Sequence, residues 1–429
     1  QLKLSMNSWL NYAVDMQTAL LFSLFLSFSS WGQEFNYRNY TDQLCSPGFH
    51  GRGYVNAGDS IAAEFIAENF KAIGLLPITE SYFQPFEFSV NTFPGEMLVY
   101  TDQDTLRPGI DFLVAPTSSG VHGTFELIQF SYYKLLSLYQ QEIHLSKNEA
   151  LLIDLSGISS DTLLLVKKKL NELALFFPIL ELSDKKLTWS VSQDVNKHPY
   201  IIISREAFRE VPTEIHLDID QKHLESHVAK NVIGFCPAKR KTKKTLLISA
   251  HYDHLGRMGR DTYFPGANDN ASGTAMLLYL AEQVLAKPLK FNVLFVAFAG
   301  EEIGLLGSKH MSLQSPLPLE DLRFMLNLDI MGSGEDGITV VNSTLFPKEF
   351  DLLKSINAKK KLLKEIKPRG PAANSDHYYF TEAGVPAFFI YTMGPNKHYH
   401  DVDDRYEALS FAAFNELNKV LLSFLKSIK

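Results

Sequence analysis

The 429-residue sequence predicts an α/β fold: a mostly parallel central sheet flanked by helices, carrying a smaller inserted β-rich domain. Three observations lead there. From Asn231 onward long apolar runs alternate with stretches of helical periodicity, the signature of strands covered on both faces. Between Phe93 and Val228 the runs are shorter and β-rich. The rhythm changes abruptly at the junction, with no internal repeat or low-complexity tract. The expected divisions are 1–32, a signal peptide or anchor; 33–92, the first part of the main domain; 93–228, the insertion; and 229–429, the rest of the main domain.

Residues 16–33 carry no charge and centre on Ala19 to Leu26. Ser30 and Gly32 place small residues before Gln33, as at a signal cleavage site. Export to a periplasmic, cell-surface or secreted location is the expectation. An uncleaved anchor or a buried helix is the alternative, because the run only just reaches spanning length. Cys45 and Cys236 then either pair as a disulfide or remain buried thiols.

Ile61, Ala62, Phe65, Ile66, Phe70 and Ile73 recur at helical spacing, with Asp59 or Ser60 as the start and Gly74 as the stop. In the insertion, 150–153, 187–191, 200–203 and the alternating Ile215, Leu217 and Ile219 read as strands, with one helix over 161–174. Beyond it, 232–235 and 246–248 read as strands joined by a solvated basic hairpin, Lys239 to Lys244. A helix over 271–286, strands at 291–299, 324–328 and 387–391, and a closing helix over 408–425 complete the series.

Composition narrows the chemistry. Forty-one basic residues against 48 acidic ones argue against a general nucleic-acid binder. Two cysteines exclude a cysteine-only zinc site, so any metal must be held by His, Asp and Glu. Those residues fall at informative places. His251 and Asp253 follow one apolar strand, Glu301 and Glu302 follow another through Gly300, and Asp329 ends a third. In open α/β sheets ligands bind beyond the carboxyl ends of strands. Asp269 joins from the loop Gly266 to Asn270, and His400 follows the last apolar strand.

Clustered carboxylates are costly to desolvate unless cations neutralise them. Two divalent ions bridged by a carboxylate meet that need and suit hydrolysis of a carbonyl substrate. Asp269 is the expected bridge, with His251 and Asp329 on one ion and Glu302 and His400 on the other. Glu301 is then the general base, and Asp253 orients a ligand imidazole or its loop. His398, two residues from His400, is the weaker ligand candidate. His254 and His377 read as neighbours of the site. Arg369 reads as a solvated loop arginine, with a substrate carboxylate as its alternative contact.

The set His251-Tyr-Asp253, Gly266-Ala-Asn-Asp269-Asn-Ala-Ser-Gly273, Gly300-Glu301-Glu302, Asn327-Leu-Asp329 and Tyr399-His400 resembles the co-catalytic dizinc exopeptidases of the aminopeptidase Y and bacterial leucyl aminopeptidase type. The resemblance is strong from about Asn231 to the end and weaker over Gly51–Pro77. It implies the zinc exopeptidase, phosphorylase/hydrolase-like fold. It also implies two Zn2+ ions on His251, Asp269, Glu302, Asp329 and His400, and Glu301 as base. Tyr399 would help polarise the substrate carbonyl, and peptides would be the substrates. The middle segment stands where many members carry a protease-associated domain. Aminopeptidase is the expected activity, with carboxypeptidase sharing the arrangement. The rivals are a single-zinc glutaminyl cyclase and a non-catalytic binding protein on the same fold.

Overall fold

The structure, a computed structural model, describes residues 36–137 and 143–429. The signal or anchor expected within 1–32 lies outside the described residues. Among the described residues no helix is long and apolar enough to cross a membrane.

An eight-stranded sheet forms the centre. Its strands run in the order Phe83–Thr92, Lys222–Cys236, Asn292–Phe298, Thr245–His251, Leu322–Asp329, Ala387–Met393, Gly337–Val341 and Ile366–Pro368. The four strands from Asn292–Phe298 to Ala387–Met393 are mutually parallel, and antiparallel pairings flank them. The sheet is therefore mixed, but parallel pairing predominates as expected, at its centre and again between Gly337–Val341 and Ile366–Pro368. Those central strands read as continuous apolar runs because both their faces are covered. In Asn292–Phe298, Val293, Phe295 and Ala297 join the core under the helices Gly58–Ile73, Gly273–Ala286 and Phe414–Ser427. Leu294, Val296 and Phe298 alternate into the opposite core, with Met311 and Phe380 of the helices Leu306–Leu313 and His377–Glu382.

Two long strands, Phe83–Thr92 and Lys222–Cys236, pair antiparallel and lead out to a second eight-stranded sheet built from residues 97–219. The strand Lys222–Cys236 is continuous through Val228. The second sheet has its own parallel centre, from Val121–Ser131 through Glu149–Asp154 and Ile179–Ser183 to Tyr200–Ser204. Its core includes Leu255, Met258, Phe264 and Val402, so the two sheets share apolar packing.

Several local expectations need correction. Asp59 does not cap its helix; it lies in the first turn of Gly58–Ile73 and its Oδ2 is 2.7 Å from His227 Nε2. Gly74, left-handed at φ 98°, does end that helix. The run Lys239–Lys244 joins strands that are not neighbours, since Asn292–Phe298 lies between them, and it is no hairpin. The last helix begins at Phe414 rather than 408, after a short 3-10 turn at Tyr406–Ala408. Residues 187–191 form no strand; the backbone N–H and carbonyl of Trp189 bond instead to His400. Cys45 and Cys236 are both free and buried, which settles against the disulfide.

Candidate metal centre

Three adjacent parallel strands end side by side. His251 pairs across to Phe298, and the chain then turns through Ala299 and Gly300 into Glu301 and Glu302. Asp329 pairs with Tyr391 on the other side of the same group of strands. The loop holding Asp269 and the segment holding His400 close over these ends. His251 Nε2 lies 3.3 Å from Asp269 Oδ1 and 3.4 Å from Asp329 Oδ1. His400 Nε2 lies 3.1 Å from Asp269 Oδ2 and 3.1 Å from Glu302 Oε2. One oxygen of Asp269 thus faces each histidine. All five residues expected to bind metal are brought together.

The ligand atoms form two groups, each within 4.8 Å: His251, Glu301 and Asp329 in one, and His254, Asp269, Glu302 and His400 in the other. Asp329 Oδ1 and His400 Nε2 are buried without a hydrogen bond, despite these close neighbours. Buried polar atoms are ordinarily satisfied. Nitrogen and carboxylate donors that crowd without bonding one another fit a pair of divalent cations in chemistry as well as in place. His254, expected only near the site, reaches it directly, with Nδ1 2.7 Å from Glu302 Oε1. His398 stays outside, 3.5 Å from Asp401.

Supporting contacts fix each ligand. Asp253 is fully buried and absent from the cavity wall. Its carboxylate accepts the backbone N–H groups of Glu301 at 3.2 Å and Glu302 at 3.3 Å, while its backbone oxygen lies 3.2 Å from His251 Nδ1. It therefore holds the Glu-Glu turn more than the imidazole. Asp404 accepts the N–H groups of Asn268 and Asp269 in the same manner. Asn270 serves the following helix, its Oδ1 accepting Gly273 N–H at 2.9 Å. Gly266 is left-handed at φ 56°, and a Cβ there would sit 2.3 Å from Asp269 O, so the loop requires glycine.

Residues missing from the sequence reading complete the frame. Arg52 is wholly buried and donates to the carbonyls of Leu44, Tyr252, Pro265, Gly266 and Asp269. Trp189 reaches His400 from the second sheet's segment: its carbonyl is 2.9 Å from His400 Nδ1, and its N–H donates to His400 O at 2.9 Å. The indole N–H donates to Val114 O and the ring stacks on Phe264, anchoring the strap. Lys186 adds an ion pair with Asp401. The alternation of Leu187, Trp189 and Val191 imitates a strand, but the backbone bonds go to the histidine.

Burial tends to lower both cluster histidines, and the carboxylates around them win. Glu301 and Asp329 hold His251 well above its usual range. Glu302 and Asp269 take His400 to about 11. Burial likewise tends to raise Glu302, but His400 and His254 bring it to about 2. Glu301 goes the other way: burial, reinforced by Glu302, Asp376 and Asp329, raises it well above the carboxylate range despite His251.

Without metal at neutral pH, both imidazoles are therefore cationic, and binding must displace their protons. At least two protons are expected to leave per chain at pH 7, read by calorimetry in buffers of different ionisation enthalpy. Each adds about tenfold in metal affinity per pH unit gained. Absence of proton release would show that the histidines are already neutral. The sign for the metal-free fold is the reverse. Raised histidines stabilise it fully below about pH 6.5, and that contribution is lost as pH rises through about 11 for His400.

A cavity of about 250 Å³ opens onto the cluster. His251, Asp269, Glu301, Glu302, Asp329 and His400 form one wall; Ile330, Arg369, Asn374, Phe389, Tyr391 and Tyr399 form the rest. The Tyr399 ring stacks on His400, centroids 3.9 Å apart, and stays half exposed. A lining rich in metal-binding groups and partly apolar suits a small carbonyl substrate.

Residues 231–425 match the model described as Peptidase family M28. Aminopeptidase YwaD of Bacillus subtilis (strain 168) is 28% identical over 221 residues, covering 49% of this chain and 47% of the relative. A probable leucine aminopeptidase of Trichophyton verrucosum (strain HKI 0517) is 32% identical over 194 residues, 43% of this chain and 54% of the relative. The chain thus spans about half the length of the curated relatives it matches. Among solved structures, BSAP, a zinc aminopeptidase from Bacillus subtilis, superposes with a TM-score of 0.66 at 20% identity, covering 91% of this chain and 93% of that one. An aminopeptidase from Aneurinibacillus sp. strain AM-1 gives a TM-score of 0.63 at 20% identity, covering 92% and 93%. These two likenesses are of fold, and they extend over both sheets.

Proposed function

We propose, from the match of residues 231–425 to the model of peptidase family M28, that this protein is a zinc-dependent aminopeptidase. The observation that carries the reading is the convergence of His251, Asp269, Glu302, Asp329 and His400 on one cavity, with Glu301 beside them. His251 and Asp329 would hold one Zn2+, Glu302 and His400 the other, and Asp269 both. When bound, the ions supply Lewis acidity to the scissile carbonyl and lower the pKa of water.

The chain's own residues supply the proton transfers. Glu301 takes the proton of the attacking water and delivers it to the leaving amine. Its burial, which raises its proton affinity, suits a group that must hold that proton between two steps. The Tyr399 hydroxyl would donate to the carbonyl oxygen as charge develops there, and its ring stacks on His400. Asp253 acts through the backbone of Glu301 and Glu302, and Trp189 through His400.

Peptides are the proposed substrates, and the residues 93–228 are proposed as an insertion that braces the site through Trp189. We assign export to the apolar run 16–33 on its sequence pattern. The test uses one pentapeptide, free, N-acetylated or C-amidated, with and without chelator. Release of the first residue from the free and amidated forms, abolished by chelator and restored by zinc, is expected. Cleavage of only the N-acetylated and free forms would make it a carboxypeptidase. Cyclisation of an N-terminal glutamine with one zinc per chain would favour the cyclase.

A further inference from the structure

Among the described residues, Arg369 is the sole Lys or Arg on the wall of the metal cavity. Its backbone is pinned: the N–H donates to Val340 O and Ser343 Oγ, both at 2.9 Å, and the carbonyl accepts from Ser343 Oγ at 2.9 Å. Its guanidinium Nη1 donates to the Tyr391 hydroxyl at 3.1 Å, and the group lies 5.9 Å from the Tyr391 ring centroid. Among the described residues no carboxylate approaches within ion-pair distance of it, although the same cavity is rich in them. Asn374 adds a second polar group to the lining, and Ile330 and Phe389 add apolar surface.

A planar, permanently charged fork with most of its donors free is suited to a carboxylate. Although exposed, it lines the same cavity of about 250 Å³ as the cluster, so a carboxylate on a residue beside the bond that the cluster attacks lies within its reach. Resting on the peptidase reading above, we propose that Arg369 is a substrate-binding residue that selects a carboxylate within one residue of the scissile bond. Two sources share this chemistry: the terminal carboxylate of a dipeptide, and an acidic side chain at the amino-terminal position.

The test compares two pairs of substrates in the zinc-loaded full chain. Leu-Ala against Leu-Ala-amide reads the terminal carboxylate; Asp-Ala-amide against Asn-Ala-amide reads the side chain. In one pair or both, the carboxylate member is expected to be favoured at least tenfold in kcat/KM. Arg369→Ala should erase that preference, with a loss of about ten- to a hundredfold carried by KM, the range for one charge-assisted hydrogen bond. Arg369→Lys should retain part of it, and the loss on the neutral member of each pair should be much the smaller. The pair that responds identifies the source.

Ratios near one in both pairs, a preference that survives Arg369→Ala, or an equal loss on all four substrates would each overturn the proposal. If the wild-type chain cleaves none of the four, the peptidase reading fails instead. The contact is then read without turnover, from calorimetric binding of aspartate against asparagine to wild type and Arg369→Ala. Equal affinities in that comparison would also overturn it.

Discussion

Replacing Glu301 by Gln is expected to lower kcat by about 10²- to 10⁴-fold while zinc content stays at the wild-type value. The substitution keeps the shape of the side chain and removes only its ability to accept a proton. Its backbone remains tied, because the contact to Asp253 is made by the Glu301 N–H and not by its carboxylate. The neighbours argue for a base rather than a third ligand on the His251 ion. Glu301 sits in the group with His251 and Asp329, yet burial and three other carboxylates favour its protonated form. Asp269 and Glu302, which contact the histidines, are held in the charged form, whereas burial raises Asp329 as it does Glu301, and Asp329 stands with the ligands on its 3.4 Å approach to His251 Nε2. Metal analysis separates the roles. Loss of one zinc equivalent in Glu301→Gln would make Glu301 a ligand, and near-normal turnover would remove it from the proton path. A large loss of kcat with both metals retained leaves the base as its role.

The difference between these groups also explains how much of the site was legible beforehand. His251, Glu301, Glu302 and Asp329 announce themselves because a strand buried on both faces must be apolar throughout, so a charged residue at its end is conspicuous. Asp269 and His400 lie in loops, and only their spacing from the strands singled them out. The framework behind them left no such trace. Arg52 satisfies five main-chain carbonyls, and main-chain acceptors are the same at every position. Trp189 contributes its own backbone to His400, so the side chain that sequence displays is only the anchor. The pairing of Phe83–Thr92 with Lys222–Cys236 joins segments 130 residues apart, as Thr92 with Lys222 shows, and no local periodicity records such a partner. The mixed sheet has the same origin: parallel central strands are marked by their unbroken hydrophobicity, whereas the flanking antiparallel ones blend with ordinary amphipathic sequence. Arg369 is the converse case. Its neighbours Gly370 and Pro371 mark it as an exposed loop residue, which it is, and only the fold shows that it also lines the metal cavity.

The unheralded Arg52 should matter most to stability. Arg52→Met is expected to cost about 3–5 kcal/mol, the range for deleting one partner of a buried charged network, and to lower Tm by on the order of 5–10 °C. Methionine fills much of the space but donates to none of the five carbonyls, and each orphaned acceptor resists burial. Burial works against the guanidinium's charge, and Cys45, Asp404, Asp269 and Asp253 offset this. Removing the cation therefore also leaves Asp404 and Asp269 with less to balance them. The consequence should reach the metal, because the carbonyls of Pro265, Gly266 and Asp269 belong to the loop that presents the Asp269 carboxylate. Zinc stabilises the native state in proportion to its affinity for it. The gain in Tm on adding zinc should then be smaller in Arg52→Met than in wild type, a readout that a remote packing defect would not move. Arg52→Lys keeps a charge with fewer donors and should fall between the two in both measurements, preserving the comparison if the methionine variant does not fold. Wild-type stability with an undiminished zinc shift would show that the carbonyls find other partners and that the loop holds Asp269 in place without this cage.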